Sequence, residues 1–192
     1  MQRKYMQLQS DVFDVSVDWG FVAKFHVDGA NAPAADTTSV LAVTNLSAAV
    51  QTITTGITNP ATPRNLQVVG NAVGIVGNVV VTGTAYDGKT ITETFALNGN
   101  TAVVGSMAFR EITSISLPAY TNGATNAVSI GLGDAMGLPF KLSLYKLQGA
   151  WLNAVAEVTA PTFTTDDANI ENNTVTLASA LDGTNVDIWL ML

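Results

Sequence analysis

The chain has 192 residues, eight Lys and Arg against fifteen Asp and Glu, a net charge of −7 and no cysteine. The absence of cysteine excludes disulfides, cysteine zinc sites and thiol nucleophiles and leaves the redox compartment open. The scattered basic residues form no stripe that could release counterions from a phosphate backbone, which excludes direct nucleic-acid binding. Only 12% of the residues are charged, against roughly 25% in typical soluble domains. Thr, Asn, Ser, Gln, Gly and Ala must therefore cover the surface, as expected where much of it faces other subunits.

Residues 1–10 start with positive charge and have no apolar segment after it, so they are not read as a signal peptide. No window approaches 18 uncharged apolar residues, and no membrane helix is expected. The segment reads as an extended arm, with Tyr5, Met6 and Leu8 available for docking on a neighbour. Over residues 11–27, Phe13, Val15, Val17, Trp19 and Phe21 fall on one face of a period-2 pattern, with Asp14, Ser16 and Asp18 opposite. That pattern predicts a half-buried strand, bent or broken at Gly20. Residues 28–38 read as a loop. Short strands are expected at Val40–Val43 and Val50–Ile53. Residues 58–64, punctuated by Pro60 and Pro63, read as an extended linker. The division drawn from this is an arm with accessory strands over 1–57 and a β-sandwich domain over 58–192.

The regular part predicts strands at 65–69, 74–86, 89–97, 108–117, 126–132, 140–147, 150–158, 174–178 and 185–191. Turn signals separate them at Gly70-Asn71, Asp87-Gly88, 98–100, 121–123, 131–134, Asp166-Asp167 and Asp182-Gly183. Asp87-Gly88, between two β-branched runs, is the strongest hairpin signal and predicts a type I′ turn. Strands at this spacing imply an all-β fold, an antiparallel β-sandwich or barrel-like domain. A short helix near 101–107 is the one helical alternative.

Little in the chain suggests chemistry. The glycines at 70, 74 and 77 match neither the dinucleotide nor the P-loop spacing and read as bends in a twisted strand. The cluster at 131, 133 and 137 reads as a tight turn before a strand that Pro139 enters. His26 is the only histidine, which rules out multi-histidine metal sites, and no Gly-x-Ser-x-Gly elbow accompanies it. Asp166 and Asp167 lack the EF-hand spacing; a solvated turn is preferred there over a calcium ion. Glu93 interrupts an apolar face, which places it at a sheet edge or beside a cation. No catalytic, cofactor or metal residue is therefore assigned. Trp19, Trp151 and Trp189 remain: core or interface anchors, or, if exposed, platforms that stack sugar rings.

Five runs carry a resemblance: Thr58–Ala72, Gly77–Thr84, Thr92–Gly99, Phe109–Pro118 and Ser129–Phe140. Over residues 58–141 the chain resembles small virion proteins of tailed bacteriophages encoded among head and tail morphogenesis genes. The resemblance implies a β-sandwich-like structural component without catalytic residues. The implied role is a capsid decoration, or cement, protein bound to the outer surface of the major capsid protein lattice. A tail, head-fibre or adaptor component is the alternative, and a carbohydrate-binding or adhesin module a third. The expected partners are the major capsid protein and further copies of the chain, a trimer leading among the homo-oligomers. The expected location is the virion surface, after synthesis in the bacterial cytoplasm.

Overall fold

In a computed structural model, the structure describes residues 7–9, 16–18, 22–121, 123–143 and 147–191. The chain is all-β, and its sheets are antiparallel. In chain order the strands are β1 (Gln7–Gln9), β2 (Ser16–Asp18), β3 (Val22–Val27), β4 (Leu41–Asn45), β5 (Gln51–Ile53), β6 (Arg64–Gly70), β7 (Asn78–Thr84) and β8 (Thr90–Ala96). They continue with β9 (Val103–Val104), β10 (Glu111–Leu117), β11 (Ala127–Gly137), β12 (Leu147–Leu152), β13 (Val155–Ala156), β14 (Thr162–Thr164), β15 (Thr174–Thr176) and β16 (Val186–Met191). Short 3-10 turns at Gly29–Asn31 and Ile170–Asn172 complete the elements.

Among the described residues these strands form three large sheets. One runs β5-β10-β7-β8, one β14-β15-β11-β6-β9 with β4 also on β11, and one β13-β12-β16-β3. β1 and β2 form a two-stranded sheet of their own. The strands of the 22–57 segment each join a sheet built by later residues: β3 pairs with β16, β4 with β11 and β5 with β10.

Alternation buries one face of the β5-β10-β7-β8 and β13-β12-β16-β3 sheets, β11 is buried on both faces over 127–133, and two cores result. The first gathers Leu66, Val68, Val79, Val81, Phe95, Ile115, Leu117, Val128 and Ile130 between the β7-β10 sheet and the first half of β11. The second gathers Phe25, Val27, Met136, Leu138, Val175, Ile188 and Leu190 under the β12-β16-β3 sheet. β11 is the common element. Its Val128, Ile130 and Leu132 face the first core and its Met136 faces the second.

A register shift between Leu132 and Met136 marks where β11 passes from one core to the other. Arg64, 1% exposed, is the pin there. Its Nε donates to the Gly133 carbonyl at 2.9 Å, Nη2 donates to the same oxygen, and Nη1 donates to the Pro33 carbonyl at 3.0 Å. Burial lowers its pKa to about 10, and the charges of Asp134 and Asp36 partly oppose that. Asn65 accepts from the Ala135 N–H at 2.9 Å and donates to the Gly105 carbonyl at 2.8 Å. The bulged backbone thus finds side-chain partners where ladder bonds lapse.

Several expectations need correction. Residues 131–134 form no turn; they lie inside β11. Gly131 and Gly133 serve close approach: a Cβ at 131 would fall 2.1 Å from the Asp36 carbonyl oxygen, and one at 133 would fall 2.4 Å from the Asn65 amide oxygen. Of the strand expected at 140–147, residues 140–143 are not in a strand, residues 144–146 lie outside the described residues, and β12 is described from Leu147; Leu142 is buried with its N–H on Asn173. The strand expected at 150–158 is broken by a turn at Asn153 and Ala154, with φ of 50° and 62°. Residues 74–77 precede β7 instead of starting it, because Gly74 and Gly77 take φ of 92° and 128°. The helix alternative at 101–107 is replaced by β9.

The Asp87-Gly88 hairpin is present with Thr84 opposite Thr90, but its turn is not type I′. Only Gly88, at φ 85°, has positive φ. The Gly88 N–H donates to the Ala85 carbonyl at 3.1 Å, and Ala85 N–H to Lys89 at 2.9 Å. That is a type I turn closed by a left-handed glycine.

Candidate functional site

The outer face of the β13-β12-β16-β3 sheet brings together the most varied side chains. In β16, Val186, Ile188 and Leu190 point into the second core, so Asp187, Trp189 and Met191 point outward. In β3, Phe25 and Val27 point inward and Val22, Lys24 and His26 outward. The register places Asp187 opposite His26 on one side and Trp151 on the other. Trp189 lies opposite Lys24 and Gly149.

Two of the three tryptophans singled out in the sequence therefore meet. The Trp151 and Trp189 rings lie 6.3 Å apart at 72°, edge to face. Trp189 is 38% exposed. The Trp151 indole lies across Gly149, where a Cβ would come within 2.6 Å of Cη2. Gly149 is thus needed for the ring to lie along the sheet. Tyr5, Met6 and Trp19 lie outside the described residues, and Leu8 sits on β1 opposite Val17.

Beside the indoles is an ionic cluster. Asp187 Oδ1 is 2.9 Å from Lys24 Nζ and 2.6 Å from His26 Nδ1. His26 Nε2 is 3.1 Å from Asp28 Oδ1. A carboxylate on each ring nitrogen favours the imidazolium, and the bonds to Asp187 and Asp28 raise the His26 pKa. Burial opposes ionisation of Asp187, but the bonds from Lys24 and His26 outweigh it and hold its pKa below the ordinary carboxylate value. A doubly bonded imidazolium has no lone pair for a general base. Lys24, His26 and Asp187 were not grouped in the sequence. The alternation in β16 places Asp187 and Trp189 on one face, but pairing with β3 spans 161 positions between His26 and Asp187.

Other polar clusters are used internally. Asp166 Oδ1 accepts the Ala168 and Asn169 N–H groups, and Oδ2 accepts the amides of Asn172 and Asn169. The Asn172 bond, then those of Asn169 and Ala168, hold its pKa well below the usual range. Oxygens that face N–H donors are poorly disposed to a calcium ion. Asn173, fully buried, uses its amide to hold Leu142, Asp166 and Asn169. Glu93 lies on the edge strand β8, as expected, but among the described residues its partners are the Ser106 N–H and hydroxyl and the Met107 N–H, not a cation. A crevice of about 510 Å³ adjoins this region, and its Asn65 and Asp166 are engaged as described. Among the described residues, no group of three or more His, Cys, Asp and Glu is placed to hold a metal.

No helix is long and apolar enough to cross a membrane among the described residues. The chain matches no protein-family model, and no curated protein or solved structure matches it.

Proposed function

We propose that this chain is a virion structural protein of a tailed bacteriophage, a capsid decoration protein that lies on the major capsid lattice and stabilises it. The observation that supports this reading most is the outer face of the β5-β10-β7-β8 sheet. Most of the runs that resemble phage virion proteins build this sheet and the first core beneath it. Across that face Thr84 lies opposite Thr90, Thr82 opposite Thr92 and Ser114, and Val80 opposite Thr94 and Ser116. The Thr82 and Thr92 hydroxyls are 3.3 Å apart. Glu111, at the end of its row opposite Thr84, is the one charged residue in these registers.

Such a surface suits docking on a flat protein lattice. Short β-branched side chains lose little rotamer freedom when covered. A face almost without charge avoids the desolvation that buried ions impose and the repulsion that a net charge of −7 creates elsewhere between copies. The same features favour association of copies, with a trimer as the proposed state, on the virion exterior after synthesis in the host cytoplasm.

The test is cosedimentation of the purified chain with empty capsids built from the major capsid protein of the same phage. Saturable binding that raises the capsid melting temperature is expected. A chain that stays in the supernatant at every concentration overturns the reading.

A further inference from the structure

We propose that the Trp151–Trp189 corner is a carbohydrate site that stacks a hexose ring of a neutral glycan, an activity separate from capsid attachment. Three features of the corner converge on that ligand. The first is shape. Trp151 lies along the sheet because Gly149 leaves room for it, and Trp189 stands at 72° to it. Together they form an L-shaped aromatic wall on the outer face of the sheet, with Trp189 38% exposed and Trp151 half-buried. A pyranose presents an apolar face of C–H groups that fits an indole plane, with its hydroxyls directed sideways. Indoles with one apolar side covered and one side wet suit such an amphipathic partner.

The second feature is the set of hydrogen-bonding groups in the neighbouring registers. Both bonds to Asp187 fall on Oδ1, so among the described residues Oδ2 is left to accept from a ligand. The Lys24 ammonium carries three donors and uses one on Asp187. A carboxylate oxygen and an ammonium side by side match two adjacent sugar hydroxyls, one donating and one accepting.

The third is charge. Lys24 and His26, whose protonation the two carboxylates favour, offset Asp187 and Asp28, so the cluster has little net charge to select an anionic or cationic polymer. Its ions also make the face a poor seat for an apolar protein partner, because covering them would cost desolvation that a hydroxylated ligand avoids.

The experiment titrates the full chain with cellohexaose, maltohexaose and N-acetylchitohexaose, following tryptophan emission and the indole N–H resonances. At least one of the three is expected to shift the Trp151 and Trp189 signals, with an affinity of about 1 mM. Trp189→Ala is expected to weaken that binding about tenfold or more and Trp189→Phe about threefold or less, with melting temperatures close to the parent's. Asp187→Asn is expected to weaken it as well. Two results overturn the proposal: no oligosaccharide moves either indole at about 10 mM, or Trp189→Ala binds as tightly as the parent. If the same indole signals instead shift when the chain alone is concentrated, the corner is an interface between copies and the proposal also fails. Capsid binding enters none of these readouts, so the virion reading can stand or fall independently.

Discussion

The two cores are built by different means. The first is assembled from strands with plain period-2 alternation, joined by a tight β7–β8 hairpin, and its outer face is a nearly uncharged array of Thr and Ser. The second is closed by β3 and β16, near opposite ends of the sequence, and its outer face combines two indoles with two carboxylates, a lysine and a histidine. Polar side chains are buried too, Asn173 beside this core and Arg64 at the junction of the two. In the first region alternation carries most of the order, with side-chain pins such as Asn59 on Ile112 and Asn71 on Ala127 at its margins. A layer closed by distant strands relies on buried polar pins to hold loops that no ladder satisfies.

The largest effects should come from the cores themselves. Phe95→Ala in the first core is expected to cost about 3–5 kcal/mol and Ile188→Ala in the second about 2–5 kcal/mol, each measured by urea unfolding. Because β11 contributes to both cores, each variant should still unfold in one transition. Two resolved transitions in either would break the comparison by showing that the cores fold as independent units.

Next comes the pin between them. Arg64→Met leaves the buried Gly133 carbonyl and the part-buried Pro33 carbonyl without their donors, each worth about 1–3 kcal/mol. A total near 3 kcal/mol lowers the melting temperature by about 10 °C in a chain of this size. Arg64→Lys should recover only part, since an ammonium cannot reproduce the guanidinium fork. A melting temperature unchanged in Arg64→Met would show that the bulge of β11 holds without its pin.

A smaller pair of effects compares the two hairpin turns. In the first region Gly88 occupies positive φ; in the second the equivalent strain falls on Ala154. Gly88→Ala should destabilise by about 1 kcal/mol, and Ala154→Gly should stabilise by about 0.5 kcal/mol, the relief of left-handed strain being partly offset by chain entropy. Opposite signs in thermal melts are the expected outcome. Equal signs would mean that φ does not set the stability of these turns.

The smallest effect is a pH dependence confined to the second region. The His26 pKa is raised above 6.5, so the histidine's stabilising contribution is complete below that value and fades as pH rises through the folded pKa. The stability difference between the parent and His26→Gln should therefore shrink above about pH 6.5, and an NMR titration of His26 should give a midpoint above 6.5. Asp166 has the opposite sense: its lowered pKa contributes stability above the ordinary carboxylate value of 3.8, lost as pH falls through the folded pKa.

These contrasts track what could be read from the sequence. The β-branched runs around Asp87-Gly88 announce the hairpin and the first-core residues Val79, Val81, Ile91, Phe95 and Leu97, because alternation and turn chemistry are local signals. The glycines at 131 and 133 misled, since a glycine that makes room for a neighbour looks in sequence like one that bends a turn. Ala154 hid a turn because alanine seldom takes positive φ. Trp151 and Trp189 were visible as candidates, yet their meeting depends on the β12–β16 register. Lys24 and His26 joined them only through a strand pairing that local patterns do not encode.

The proposed division of labour is tested most directly by cosedimenting three forms of the chain with empty capsids: the parent, Thr82→Lys/Thr92→Lys and Trp189→Ala. The lysines place two charges on the hydroxyl face of the first region, while Trp189→Ala alters only the outer face of the second. The account predicts that the parent and Trp189→Ala bind alike and that the double lysine variant, folded by circular dichroism, loses binding. Capsid binding that survives the two lysines and disappears with Trp189→Ala would contradict it.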